Sequence, residues 1–157
     1  MRRFSSYGPV DCQEHFCVQR DELVHGCLDQ LIGSTGKSGH YFTIWAPRQA
    51  GKTWLVRQVK KEIEHRHPDR FTVGMMSAQG VELKKDDPPE AFLSRVPLLF
   101  RRFFNVDIEE PKGWEELGML FSKQWKHFSK PLILFIDEFD KLPALVIDRL
   151  VSMFRDI

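Results

Sequence analysis

Tyr41-Phe42-Thr43-Ile44-Trp45-Ala46-Pro47-Arg48-Gln49-Ala50-Gly51-Lys52-Thr53 is the stretch on which the fold turns. Tyr41 to Trp45 is an aromatic and β-branched run, the composition of a short buried strand. From Lys52 onward Leu55, Val56, Val59 and Ile63 recur on one helical face, and His67-Pro68 closes the pattern because proline cannot continue a helix. The turn between them therefore joins the end of a strand to the start of a helix, the context in which a phosphate-binding loop makes physical sense. Backbone N–H groups wrap the phosphates and the helix N-terminus adds its positive dipole end. Lys52 reaches the β- and γ-phosphates, the Thr53 hydroxyl takes one position on Mg²⁺, and Gly51 lets the backbone approach where a Cβ would collide. Ala46 stands where the pattern G-x-x-x-x-G-K-[ST] has its first glycine, so the loop needs a second element to support it.

That element is Leu132-Ile133-Leu134-Phe135-Ile136-Asp137-Glu138. Five apolar residues in a row suit a strand covered by helices on both faces of a parallel sheet. Its carboxyl end delivers two acids to the crevice where open α/β sheets bind ligands. Asp137 is expected to hold Mg²⁺, usually through water, and Glu138 to orient or activate the water that attacks the γ-phosphate. Both motifs on separate strands, in this order, predict that ATP and Mg²⁺ are bound between them.

The remaining chain reads as alternating helix and strand. Residues 1–19, with Gly8, Pro9 and no period, predict an extended N-terminal arm, and residues 20–157 one ATP-binding domain. Asp21 and Glu22 open a helix whose Leu23, Val24, Cys27, Leu28 and Leu31 recur at helical spacing and which Gly33 suits as a stop. A second strand is expected at Phe71 to Met76 and an exposed loop from Gly80 to Pro89. Two helices should follow, Glu90 to Phe104 kinked at Pro97, and Trp114 to Phe128 with Leu117, Leu120, Phe121 and Phe128 inward. A last helix begins near Pro143 and is still running at Ile157. The Phe-rich run from Phe92 to Phe104 is expected to cover the sheet, and Trp45, Trp54, Trp114 and Trp125 to pack rather than to stack on a ligand.

Composition sets the outer bounds. The chain has 157 residues, 23 Lys+Arg against 22 Asp+Glu, and 42% hydrophobic residues, which excludes disorder, collagen and coiled coil. A formal charge of +1 makes no field that would by itself recruit nucleic acid or a membrane. No apolar stretch approaches the roughly 20 residues that cross a bilayer, and Met1-Arg2-Arg3 is followed by Gly8-Pro9 and Asp11 rather than the apolar core of a signal peptide. The expected compartment is the cytoplasm. Cys12, Cys17 and Cys27, near His15 and His25, match no zinc-site spacing and are expected as three reduced thiols. Gly33-Ser34-Thr35-Gly36-Lys37-Ser38 imitates the phosphate loop, but it follows a helix, precedes a strand and has Leu31 where the first glycine belongs.

On these residues the chain resembles the N-terminal part of an AAA-like P-loop ATPase. More narrowly, it is similar to a bacterial and archaeal group whose loop reads P-R-Q-x-G-K-[ST], here Pro47-Arg48-Gln49-Ala50-Gly51-Lys52-Thr53. That group carries an upstream Gly-Pro pair and an aromatic "YV-x-R" box, matched here by Gly8-Pro9-Val10-Asp11 and by Phe16-Cys17-Val18-Gln19-Arg20. The resemblance implies a P-loop NTPase three-layer αβα sandwich with a mostly parallel sheet, in strand order 5-1-4-3-2. It also implies that Val18 to Arg20 lies near the adenine. Strand 4 with its polar sensor, strand 5, an arginine finger and a helical lid have no counterpart in these residues, so the expectation is a truncated reading frame or a fragment of a longer ATPase, which hydrolyses ATP once those elements complete it.

Two other functions compete. Asp137-Glu138-Phe139-Asp140 spells the D-E-x-D of helicase-like nucleic-acid translocases, but their loop has glycine where Gln49 stands, and the basic pairs Lys60-Lys61, Lys84-Lys85 and Arg101-Arg102 are interspersed with acids. Nucleic acid and membrane are accordingly not expected as partners. The second is a non-hydrolysing nucleotide-dependent switch or interaction module, acting through a protein partner or self-association.

Overall fold

A computed structural model describes residues 3–4, 13–18, 20–32, 41–122 and 128–156. The chain divides into two compact units, Met1–Asp69 and Arg70–Ile157. Among the described residues it is a mixed α/β protein, mostly helical, with a small two-stranded parallel sheet.

The first unit is built on two helices. Helix α1 (Asp21–Ile32) starts with Asp21 and Glu22 at its positive end and buries Val24 and Leu28. Helix α2 (Lys52–Arg66) buries Leu55, Val59 and Ile63, the face expected from their spacing, and packs against α1. It ends where His67 returns its N–H to the Ile63 carbonyl at 2.8 Å, just before Pro68. On the surface Arg66 pairs with Glu62 at 2.6 Å and also reaches His25 Nε2 of α1 at 2.7 Å. The described part of the arm is tied down: Arg3 donates its N–H to Glu14 and accepts from Phe16, and the Phe4 and Phe16 rings stack at 4.8 Å.

The expected strand Tyr41 to Trp45 does not form; residues 41–47 run as irregular chain. A strand exists only through the neighbour that takes its N–H and C=O groups, and among the described residues the ladder belongs to two other segments. The side chains still alternate, Phe42, Ile44 and Ala46 half-buried, Tyr41, Thr43 and Trp45 exposed. Trp45, expected to pack, is 91% exposed.

In the second unit β1 (Thr72–Ser77) pairs in parallel with β2 (Leu132–Asp137), in register from Thr72↔Leu132 to Ser77↔Asp137. The connection carries a 3₁₀ helix (Pro89–Arg95), α3 (Val96–Phe104) and α4 (Trp114–Met119); a 3₁₀ turn (Phe139–Lys141) and α5 (Ala144–Asp156) follow β2. Pro97 does not kink one long helix. It sits in the first turn of α3, where a missing N–H costs nothing, and so marks a new start. Asn105 in the left-handed region closes α3. Helix α4 is shorter than the expected Trp114 to Phe128; residues 123–127 lie outside the described ones. Phe92, Leu93, Val96, Leu99 and Phe100 are buried as the Phe-rich run predicted, with Leu117, Val146 and Leu150 completing the core. Gly74 of β1 lies under Phe104, whose Cε1 is 2.2 Å from where a Cβ would be.

Candidate functional site

The candidate phosphate loop lies in the unit Met1–Asp69. Its backbone takes two left-handed positions, Gln49 at φ 61° and Gly51 at φ 79°, ψ 24°, before Lys52 begins α2. Glycine accepts that conformation without a Cβ penalty, and a left-handed residue followed by a helical one turns successive N–H groups to one side, the geometry of an anion nest. Gly51 is the N-cap and supplies no side-chain cap to the first turn of α2. Lys52 folds back over the loop, its Nζ donating to the carbonyls of Ala46 at 2.7 Å and Pro47 at 2.9 Å. Thr53 follows on the same turn, half-buried, while Pro47, Arg48 and Gln49 are exposed and Ala50 is half-buried.

Arg20 joins this loop from the residue before α1. Its Nη1 donates to the Ala50 carbonyl at 3.0 Å, and its guanidinium lies against Gly51, with Nη2 3.2 Å from the position of an added Cβ. The upstream box was expected near the adenine; the contact that Arg20 makes here is with the loop backbone. Gly8 to Asp11 and Gln19, and the imitation loop at residues 33–38, lie outside the described residues.

The acid pair lies in the unit Arg70–Ile157. Asp137 is the last residue of β2, and its backbone carbonyl accepts from Ala78 at 2.9 Å. Its Oδ1 accepts the N–H of Glu138 at 3.0 Å. Glu138 is in the left-handed region, φ 53° and ψ 35°, and its carbonyl accepts from Lys141 at 2.9 Å as the chain turns into the short 3₁₀ segment. Both acids are half-buried. Of the non-glycine residues with positive φ among those described, Asn105 is an ordinary helix cap, whereas Gln49 and Glu138 fall one in each motif. Such positions cost of order 1–3 kcal/mol each and cluster at functional sites.

One polar group at the sheet's carboxyl end was missed in the sequence. Ser77 stands beside Asp137 in the ladder, its Oγ accepting the N–H of Gln79 at 3.1 Å. The available signal was a hydroxyl at the end of the apolar run Phe71 to Met76, where parallel sheets bind ligands.

Among the described residues no group of three or more His, Cys, Asp or Glu side chains could hold a metal ion, and no helix is long and apolar enough to cross a membrane. The thiols are not uniformly reduced as expected: Cys17 is disulfide-bonded, and Cys27 is free, its thiol pushed up by burial. Comparison with known proteins finds no matching family model, curated protein or solved structure.

Proposed function

We propose that this chain binds ATP with magnesium through a phosphate loop, as an AAA-like P-loop ATPase does. The observation that carries the reading is the head of α2, where Gly51 is left-handed and the Lys52 ammonium folds over the loop onto Ala46 and Pro47. A lysine held by two carbonyls is oriented, and it exchanges them for phosphate oxygens of full negative charge, a stronger acceptor. Two further features support the reading. The second and third expected strands are parallel neighbours, as the order 5-1-4-3-2 requires, and Asp137 and Glu138 follow the latter strand at its carboxyl end.

In this function the N–H groups from Gly51 to Thr53 wrap the β- and γ-phosphates and Lys52 neutralises them, while the Ala50 N–H closes the turn onto the Pro47 carbonyl at 3.4 Å. Thr53 and Asp137, read from the sequence as oxygen ligands, are each of the donor type that a hard divalent ion takes, and magnesium would supply charge neutralisation to the phosphates. Glu138, on a strained backbone, would orient or activate the attacking water.

Titration with MgATP tests the proposal. The wild-type chain is expected to bind, and Lys52→Ala to weaken binding about a hundredfold, roughly two charge-assisted hydrogen bonds. Glu138→Gln should bind as the wild type does, and whatever turnover the wild type has should be lost. A wild-type chain that does not bind MgATP, or a Lys52→Ala variant that binds equally well, refutes the reading.

A further inference from the structure

We infer that Arg20 is a positioning residue of the phosphate loop, acting through the Ala50 carbonyl on how triphosphate is held and making no contact with the base. The inference rests on the reading of residues 46–53 as a phosphate loop.

Planarity carries the argument. The peptide between Ala50 and Gly51 is a rigid trans unit, so its C=O and N–H point in opposite directions. Arg20 Nη1 holds the Ala50 carbonyl at 3.0 Å. The N–H of Gly51 is thereby turned away from Arg20, and with Gly51 left-handed and Lys52 helical it heads the run of N–H groups that an anion would meet. Without that bond the peptide can rotate and present its carbonyl instead, which repels phosphate. The guanidinium also lies against Gly51, Nη1, Nη2 and Cζ all within 3.4 Å of the Cβ position, so it blocks that side of the loop as well as bonding to it.

Two cations thus serve one loop in different ways. Lys52 holds the Ala46 and Pro47 carbonyls with a compact ammonium on a flexible stem and can leave them for phosphate. Arg20 is anchored at the head of α1, where its own carbonyl takes the first bond of that helix, from Val24 at 2.9 Å. Its planar fork is pre-organised and loses little freedom on bonding, so the Ala50 bond persists while Lys52 moves.

The test separates phosphate from base. Calorimetric titrations with MgATP and with magnesium tripolyphosphate, which has no base or sugar, are run on wild type, Arg20→Ala, Arg20→Lys and Lys52→Ala. Loss of one charge-assisted bond predicts that Arg20→Ala binds both ligands about tenfold more weakly, by equal factors, and that Arg20→Lys regains part of both. Should Arg20→Ala fail to fold, Arg20→Lys carries the test through the same equal weakening. A loss confined to MgATP would place Arg20 at the base and overturn the inference, as would unchanged binding of both ligands. If the wild type binds neither ligand, the phosphate-loop reading itself has failed; if the wild type binds and only the Arg20 variants are unaffected, the inference alone has failed.

Discussion

The guanidinium of Arg20 stands 3.2 Å from the place where a Cβ on Gly51 would go, so the side chain at one position limits what the other can be. Gly51→Ala meets two separate penalties, the contact with Arg20 and a Cβ at φ 79°. The left-handed conformation alone costs a non-glycine residue about 1–2 kcal/mol. Gly51→Ala should lower the unfolding free energy read from a urea titration by at least that amount and abolish the proposed MgATP binding. Adding Arg20→Ala relieves the contact and leaves the backbone cost, so the double variant should recover at most part of the stability.

Glu138 carries the same backbone cost at φ 53°. Glu138→Gly removes the Cβ penalty of about 1–2 kcal/mol but adds about 0.5–1 kcal/mol of unfolded-chain entropy. Equilibrium unfolding should therefore find the variant up to about 1 kcal/mol more stable. If the chain hydrolyses ATP as proposed, that turnover should be lost at the same time, a trade of activity for stability at one residue.

Gly74 is required for packing rather than for its φ. A Cβ there would sit 2.2 Å from Cε1 of Phe104, and the ring lies on the core face of β1. Gly74→Ala should cost about 1–3 kcal/mol by overpacking. Phe104→Leu in the same chain vacates the space and should restore part of the midpoint, which a loss of strand propensity would not allow.

The Cys27 thiol is raised above its ordinary value of 9.0 by burial, so the folded chain holds this proton more tightly than the unfolded chain. The stabilisation from this group is complete below that ordinary value and is lost as pH climbs through the higher folded value. Cys27→Ser should flatten the alkaline fall in the unfolding midpoint relative to wild type, while leaving the curve near neutral pH unchanged in shape.

Trp114 stacks on Phe92, with ring centroids 6.1 Å apart and planes 7° from parallel, yet its buried Nε1 finds no acceptor among the described residues. Trp114→Phe removes an unsatisfied donor worth about 1–3 kcal/mol and some packing area, and should come out within about 1 kcal/mol of wild type. Trp114→Ala should cost about 3–5 kcal/mol. Guanidinium unfolding of the three chains checks the pattern.

Much of this architecture is legible in the residues themselves. Leu55, Val59 and Ile63 announce α2 because a helical period needs no knowledge of neighbours, and the short, mainly apolar runs Phe71 to Met76 and Leu132 to Ile136 announce β1 and β2 by composition and length. Tyr41 to Trp45 misleads for the complementary reason: composition marks a segment able to pair, but pairing is a property of two segments. Pro97 was legible as a break, though whether it bends one helix or opens another depends on what precedes it. At the candidate site, the start of α2 after Gly51 and the place of Asp137 at the end of β2 were readable from the sequence. The bond from Arg20 to Ala50, spanning thirty residues, was not, because no spacing rule links the start of one helix to the carbonyl of a distant turn.

The parallel pairing of Thr72 with Leu132 sets how this unit must assemble in time. Every rung joins residues separated by the entire connection between the strands, so the ladder cannot zip from a hairpin. Its first bond requires closing a loop of about sixty residues, an entropic toll that rises with the logarithm of length. The 3₁₀ helix, α3 and α4 can condense around Phe100 beforehand, so the sheet is expected to form late in refolding.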